Sequence, residues 1–180
     1  PSFLAFDPAA KFLFAVNETD PGRVRSFAIN QSTGALTPIN DVPSGGSITA
    51  HLSTDKTGRW LLVANYGDTK QGTIASIPIG PDGRLSPAVD TREFGLGSMA
   101  HYISTDPGNR FVFVPLKGGP ATAQLVFDVN TGRFKPNVPP QVTAAPGPEP
   151  RHMDFHPNGR FAYVINELDL TMSAFAYDAK

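Results

Sequence analysis

Cysteine is absent from this chain of 180 residues, so no disulfide, thiolate nucleophile or Cys-ligated metal is available to it. Long apolar runs are absent too, and no stretch nears the roughly 18 residues that a membrane span needs. Charge is sparse and balanced, with 15 Lys and Arg against 16 Asp and Glu. The basic residues are scattered rather than gathered into the stripe of a nucleic-acid binder. A Gly-x-Ser-x-Gly elbow is missing, which leaves serine acyl-enzyme chemistry without an evident nucleophile. No window of about 12 residues keeps a helical apolar period free of Gly and Pro, so helices are not expected. No signal peptide is visible, and Pro1 is not a natural translation start, so residues are expected to precede it. The lack of cysteine fits a reducing compartment, and a cytoplasmic location is the expectation.

Turn and strand material is plentiful. The 17 glycines and 18 prolines exceed average usage, which is roughly 12% for the two together, and carry no Gly-X-Y period. They read as many turns. The 13 Phe and 4 Tyr favour strands. A repeat organises both. Residues 2–18, 50–66, 101–117 and 151–167 align as a short strand, a turn built from Pro, Gly, Asn or Thr, a Lys or Arg, an aromatic residue and a second strand. The anchoring aromatics are Phe12, Trp60, Phe111 and Phe161, about 50 residues apart. A third strand follows in each unit. In the first three, a glycine turn (STGAL, PDGRL, NTGRF) then leads into a fourth.

Four strands per unit at this period predict an all-β fold, a β-propeller of four-stranded antiparallel blades. A β-sandwich would not explain one turn recurring at nearly fixed spacing. Approximate blades are 1–48, 49–98, 99–148 and 149–180, the last stopping after its third strand. With no further strand at the N-terminus to complete it, the expectation is a truncated chain with blades missing at one end or both.

Positions that differ between repeats are where function can sit. Five residues after each anchor stand Asn17, Asn65, Leu116 and Asn166, a set that suggests capping of a strand end. The next column mixes Glu18, Tyr66, Lys117 and Glu167, which uniform packing does not demand. Ten residues before the anchor stand Ser2, Ala50, His101 and Arg151; nine before stand Phe3, His51, Tyr102 and His152. The first strand of a propeller blade lines the axial channel, so these columns place His101 and Arg151 at one height, with His51 and His152 close by. His156, in the turn HPNGR, reads as a turn residue.

At these residues a family resemblance appears. APGPEPRHMDFHPNGRFAYVINEL (residues 145–168) resembles the best-known stretch of the 6-phosphogluconolactonase-type lactonase family, written around Gly-Pro-Arg-His, Phe-His-Pro-Asn-Gly and a later Asn-Glu-Leu. AHLSTDKTGRWLLVANYG (residues 50–67) is similar to the family's His-bearing motif, and FLFAVNE (residues 12–18) to its early motif ending in Asn-Glu. The resemblance implies a seven-bladed propeller, of which about four blades are present. In the family's fungal carboxymuconate-lactonising member, a His, an Arg and a Glu on successive inner strands are the proposed active site. By motif position these correspond to His101, Arg151 and Glu167. Two departures stand out: after His101 the family carries Asp-Leu-Gly and a further Asp, where this chain has PLKGGPATA, and Gly147-Pro148 is separated from Arg151 by Glu149 and Pro150.

The function expected from the resemblance is hydrolysis of a sugar-acid lactone such as 6-phosphogluconolactone, with roles in carbohydrate metabolism and the pentose phosphate pathway. Without a nucleophile, direct attack by water is the expected chemistry. Glu167 or His101 would act as general base, and Arg151 would hold a phosphate, a carboxylate or the developing oxyanion. His51, His152, Glu18, Asn65 and Tyr66 are expected to bind substrate. No cofactor is expected, and the expected partner is a small anionic lactone or carboxylate rather than a nucleic acid or a membrane. Three other readings remain at this point. The same site could run a muconate-type lactonisation, the propeller could be a non-catalytic scaffold, or His51, His101 and His152 could ligate a metal with Glu167. Convergence of His101, Arg151 and Glu167 on one pocket is what a catalytic site requires.

Overall fold

The computed structural model describes residues 1–68, 70–143, 147 and 149–179. Residues 145, 146 and 148 of the Arg151 motif therefore lie outside the described residues. Fifteen strands form four sheets in chain order: β1 (Leu4–Phe6), β2 (Phe12–Asn17), β3 (Arg23–Ile29) and β4 (Leu36–Pro43); β5 (Thr49–Thr54), β6 (Trp60–Asn65), β7 (Thr73–Pro78) and β8 (Asp90–Glu93); β9 (Ser104–Thr105), β10 (Phe111–Leu116), β11 (Ala121–Asp128) and β12 (Arg133–Thr143); and β13 (Pro150–Phe155), β14 (Phe161–Asn166) and β15 (Met172–Ala176). Within every sheet each strand pairs antiparallel with its neighbours in sequence. Among the described residues three sheets therefore have four strands and the last has three, as the repeat predicts. Among the described residues no helix is long and apolar enough to cross a membrane.

The core lies between sheets rather than within one. Alternate residues of a strand point to opposite faces, and β6 uses both. Leu61 and Val63 pack with Phe14, Val16 and Val24 of the first sheet, whereas Leu62 and Ala64 pack with Val112, Val114 and Leu125 of the third. All six residues of β6 are consequently buried, which explains its unbroken apolar run, WLLVAN. Phe113, Met153, Ala162 and Val164 form the corresponding seam between the third and fourth sheets. Fully burying one such Leu, Val or Phe contributes about 1.5–3 kcal/mol.

The anchor aromatics and the glycine turns explain each other. The ring of Phe12 lies on Gly83 of the next sheet, and the indole of Trp60 lies on Gly132 of the one after. Any Cβ at either glycine would run into the ring, and both glycines have positive φ, +77° and +71°. Trp60 Nε1 also donates to the Val129 carbonyl at 2.8 Å. The Ser26 hydroxyl donates to the Gly83 carbonyl at 2.7 Å, and Ser76 makes the same contact to Gly132. The turn before each anchor is closed by Asp7, Asp55 or Asp106, whose carboxylate accepts the N–H of Phe12, Trp60 or Phe111. In the fourth unit His156 takes that position and accepts the N–H of Asn158 through Nδ1.

Candidate active site

The first strands of the four sheets converge. The ring of His51 lies 4.0 Å from Phe3 and 4.2 Å from Tyr102, and His152 lies within 5.9 Å of Phe3, His51 and Tyr102. The column nine residues before the anchors is thus one stack of four rings drawn from four sheets. His51 is 3% exposed within it, and its Nδ1 accepts the Ile103 N–H at 3.4 Å. Burial, reinforced by His152 and His101, holds its pKa well below the usual value.

One residue earlier, the backbone bulges. Thr49 pairs with Asn65 and His51 with Ala64, so Ala50 is an extra residue. Pro150 pairs with Asn166 and His152 with Ile165, so Arg151 is extra in the same way. In the third sheet Ala100 faces Leu116 and Ser104 faces Phe113, which again leaves one surplus residue in 101–103. A bulge re-aims the side chain it carries. Above the ring stack, His101 and Arg151 line a cleft of about 140 Å³ together with Ser2, Phe3, Glu18 and His152.

Electrostatics divide the site in two. Burial, then Arg151, His152 and Lys117, push His101 down to about 4, so its imidazole is neutral at physiological pH. Its Nδ1 is buried, with no hydrogen-bond partner among the described residues. Burial and Arg151 likewise lower the pKa of His152. Glu167 pairs with the Arg151 Nε at 2.7 Å and with the Lys117 Nζ at 3.0 Å. Those cations, Lys117 foremost, hold its carboxyl below the usual range. Lys117 also lies 3.6 Å from Glu149 and stands over the Tyr66 ring at 5.9 Å. Tyr66 in turn meets the His101 ring edge-on at 6.0 Å.

His101 and Arg151 therefore share one cleft, and Glu167 reaches it through Arg151. Glu18 and His152 line the cleft, and Tyr66 backs His101. Two of the expected substrate-binding residues sit elsewhere. His51 is stacked beneath the cleft. Asn65 is fully buried, its Oδ1 accepting from the Thr49 hydroxyl at 2.8 Å and its Nδ2 donating to the Ser44 carbonyl and Thr73 Oγ1. Lys117 and Glu149 join the charge network as well. Lys117 stands in the mixed column, where its place is legible; Glu149 belongs to the insertion before Arg151, outside the repeat. Among the described residues no group of three or more His, Asp or Glu side chains is arranged to hold a metal ion.

Successive antiparallel meanders, each packed on the next and with their first strands brought together, form part of a β-propeller. Its family follows from comparison with known proteins. The chain belongs to the seven-bladed β-propeller lactonase family, whose model matches residues 1–180. It is 38% identical over 160 residues to a 6-phosphogluconolactonase of Pectobacterium carotovorum, which covers 87% of the chain and 45% of that protein. It is 33% identical over 174 residues to the 6-phosphogluconolactonase of Cronobacter sakazakii, covering 96% and 49%. The chain thus spans about half the length of the curated relatives it matches. Among solved structures, the periplasmic gluconolactonase of Pseudomonas aeruginosa superposes with a TM-score of 0.92 at 28% identity, over 100% of this chain and 54% of that one.

Proposed function

We propose that the cleft is the active site of a lactone hydrolase acting on a sugar-acid lactone, such as 6-phosphogluconolactone, by direct attack of water. The observation that carries this reading is a neutral His101 lining one cleft with Arg151. A neutral imidazole with a free lone pair can take a proton from water. The resulting hydroxide adds to the lactone carbonyl, the ring C–O bond breaks, and the imidazolium returns the proton to the leaving alkoxide. One such acid–base group supplies about 10²–10⁴-fold, which suits a strained and fairly reactive ester. Glu167 is the weaker choice of base, because two cations already neutralise it. Its role is to orient Arg151, which binds the phosphate or carboxylate of the substrate or the developing oxyanion.

The relatives' names support the substrate class, since they include both 6-phosphogluconolactonases and a gluconolactonase. Binding of an anion at Arg151 would cancel part of the charge that lowers His101. The base would strengthen when substrate is in place. Replacing His101 by Ala in the intact protein and measuring lactone hydrolysis above the spontaneous rate tests the proposal. A rate equal to that of the unaltered protein would refute it.

A further inference from the structure

Lys117 belongs to the third sheet, yet its side chain reaches the sheets on either side. Its Nζ stands over the Tyr66 ring of the second sheet at 5.9 Å and pairs with Glu167 of the fourth at 3.0 Å. Glu149, in the insertion before Arg151, lies 3.6 Å from the same nitrogen. We propose that Lys117 is a positioning residue of the lactone site, holding Glu167 so that Arg151 keeps its terminal nitrogens for the anionic group of the substrate. The inference rests on the lactonase reading above and adds to it a residue that does not itself line the cleft.

The backbone at both ends of the Lys117–Glu167 pair is fixed. The Lys117 N–H donates to the Met99 carbonyl at 3.0 Å, and the Gly118 N–H donates to the Ser98 carbonyl at 3.1 Å. The Glu167 N–H donates to the Glu149 carbonyl at 2.9 Å. What remains to be set is the direction of the Glu167 carboxylate, and its two oxygens are divided: Oε1 goes to Lys117 and Oε2 to Arg151. Lys117 is the most enclosed of the three, its side chain 17% exposed against 41% for Arg151 and 44% for Glu167. The enclosed cation therefore anchors the more exposed pair. Glu167 approaches Arg151 most closely at Nε, on one side of the planar fork. A carboxylate with no other partner commonly takes an Arg with both oxygens. Released by Lys117, Glu167 can turn both oxygens onto the guanidinium and occupy donors that a phosphate needs.

The test compares 6-phosphogluconolactone with glucono-δ-lactone, which lacks the phosphate, in the intact protein. Lys117→Met should raise KM for the phosphorylated lactone by about tenfold, the worth of one charge-assisted contact, and for the neutral one by less than about threefold. Lys117→Arg should restore most of that difference, because it returns a cation of similar reach. Adding Glu149→Gln to Lys117→Met separates charge from position, since it gives back the unit of charge but not the partner of Glu167. The double variant should keep the raised KM for the phosphorylated lactone. A KM that returns to its starting value in the double variant, or that rises equally for both lactones in Lys117→Met, overturns the proposal. Should Lys117→Met not fold, Lys117→Gln is read by the same two criteria. If the unaltered protein hydrolyses neither lactone, the lactonase reading fails by itself. Calorimetric titration with 6-phosphogluconate then decides the role of Lys117. Weaker binding to both Lys117→Met and the double variant supports it; binding by either that equals the unaltered protein, or no binding by any, overturns it.

Discussion

The Arg151 guanidinium and the Glu167 carboxylate meet at 2.7 Å at the inner end of the fourth sheet, one on the bulge of β13 and the other just past the end of β14. Lys117 of the third sheet holds the other Glu167 oxygen at 3.0 Å. The carboxylate is therefore a brace between two sheets as well as a partner of Arg151. Both cations keep it ionised, and in the proposed mechanism the proton transfer is assigned to His101.

Loss of Arg151 should cost binding and charge stabilisation together. Arg151→Ala is expected to lower kcat/KM for an anionic lactone by about 10²–10³-fold, the range seen when one such charge-stabilising donor is removed. Arg151→Lys should recover only part, because an ammonium lacks the planar fork. Initial rates corrected for spontaneous hydrolysis measure both.

The pH profile should report His101. With its pKa near 4, kcat/KM is expected to stay flat through neutrality and to fall only as pH drops towards 4, rather than through the ordinary 6.5. Arg151 is one of the causes that lower this pKa, so removing its positive charge favours the protonated imidazole. The acid limb of Arg151→Ala should move to higher pH. An acid limb that stays in place would argue against His101 as the base.

Stability should also depend on the histidines of the ring cluster and the cleft. His51, His101 and His152 all have folded-state pKa values below the unfolded value of about 6.5. The unfolded chain binds more protons in this window. The stability they contribute is present above pH 6.5 and is lost as pH falls towards the folded values. Thermal midpoints measured from pH 8 to pH 5 should fall below 6.5. Replacing His51 by Phe should flatten that fall, since a phenyl ring keeps the stack with Phe3 and Tyr102 and cannot charge.

The glycine turns give a prediction independent of function. Gly132→Ala meets both a positive φ and the Trp60 indole, and should destabilise by about 2 kcal/mol or more. Trp60 is the only tryptophan, so its fluorescence in urea follows the seam directly. An unchanged midpoint would mean that the aromatic–glycine contact contributes nothing to the packing of adjacent sheets.

Asn65 should behave as structure. Its polar atoms are all paired inside the protein, so Asn65→Ala takes a donor from the Ser44 carbonyl and from Thr73 Oγ1 and is expected to cost about 1–3 kcal/mol. The urea midpoint should fall while kcat/KM of the folded fraction stays close to its starting value.

Blade order, strand count and the antiparallel meander were legible from residue order alone, because each sheet is built from neighbours in the chain and each turn announces itself with Asp, Gly or Pro. So was the pairing of His101 with Arg151 in one column, since the repeat carries equivalent positions to equivalent heights. What only the tertiary structure decided is which member of a column faces the cleft. Glu18 and Lys117 share a column, yet one lines the cleft and the other is paired with Glu167. His51 and His152 share another, yet one is sealed in the ring stack while the other lines the cleft. These differences depend on what a neighbouring strand or sheet places within about 3–4 Å, and a residue's own position in the repeat carries no record of that.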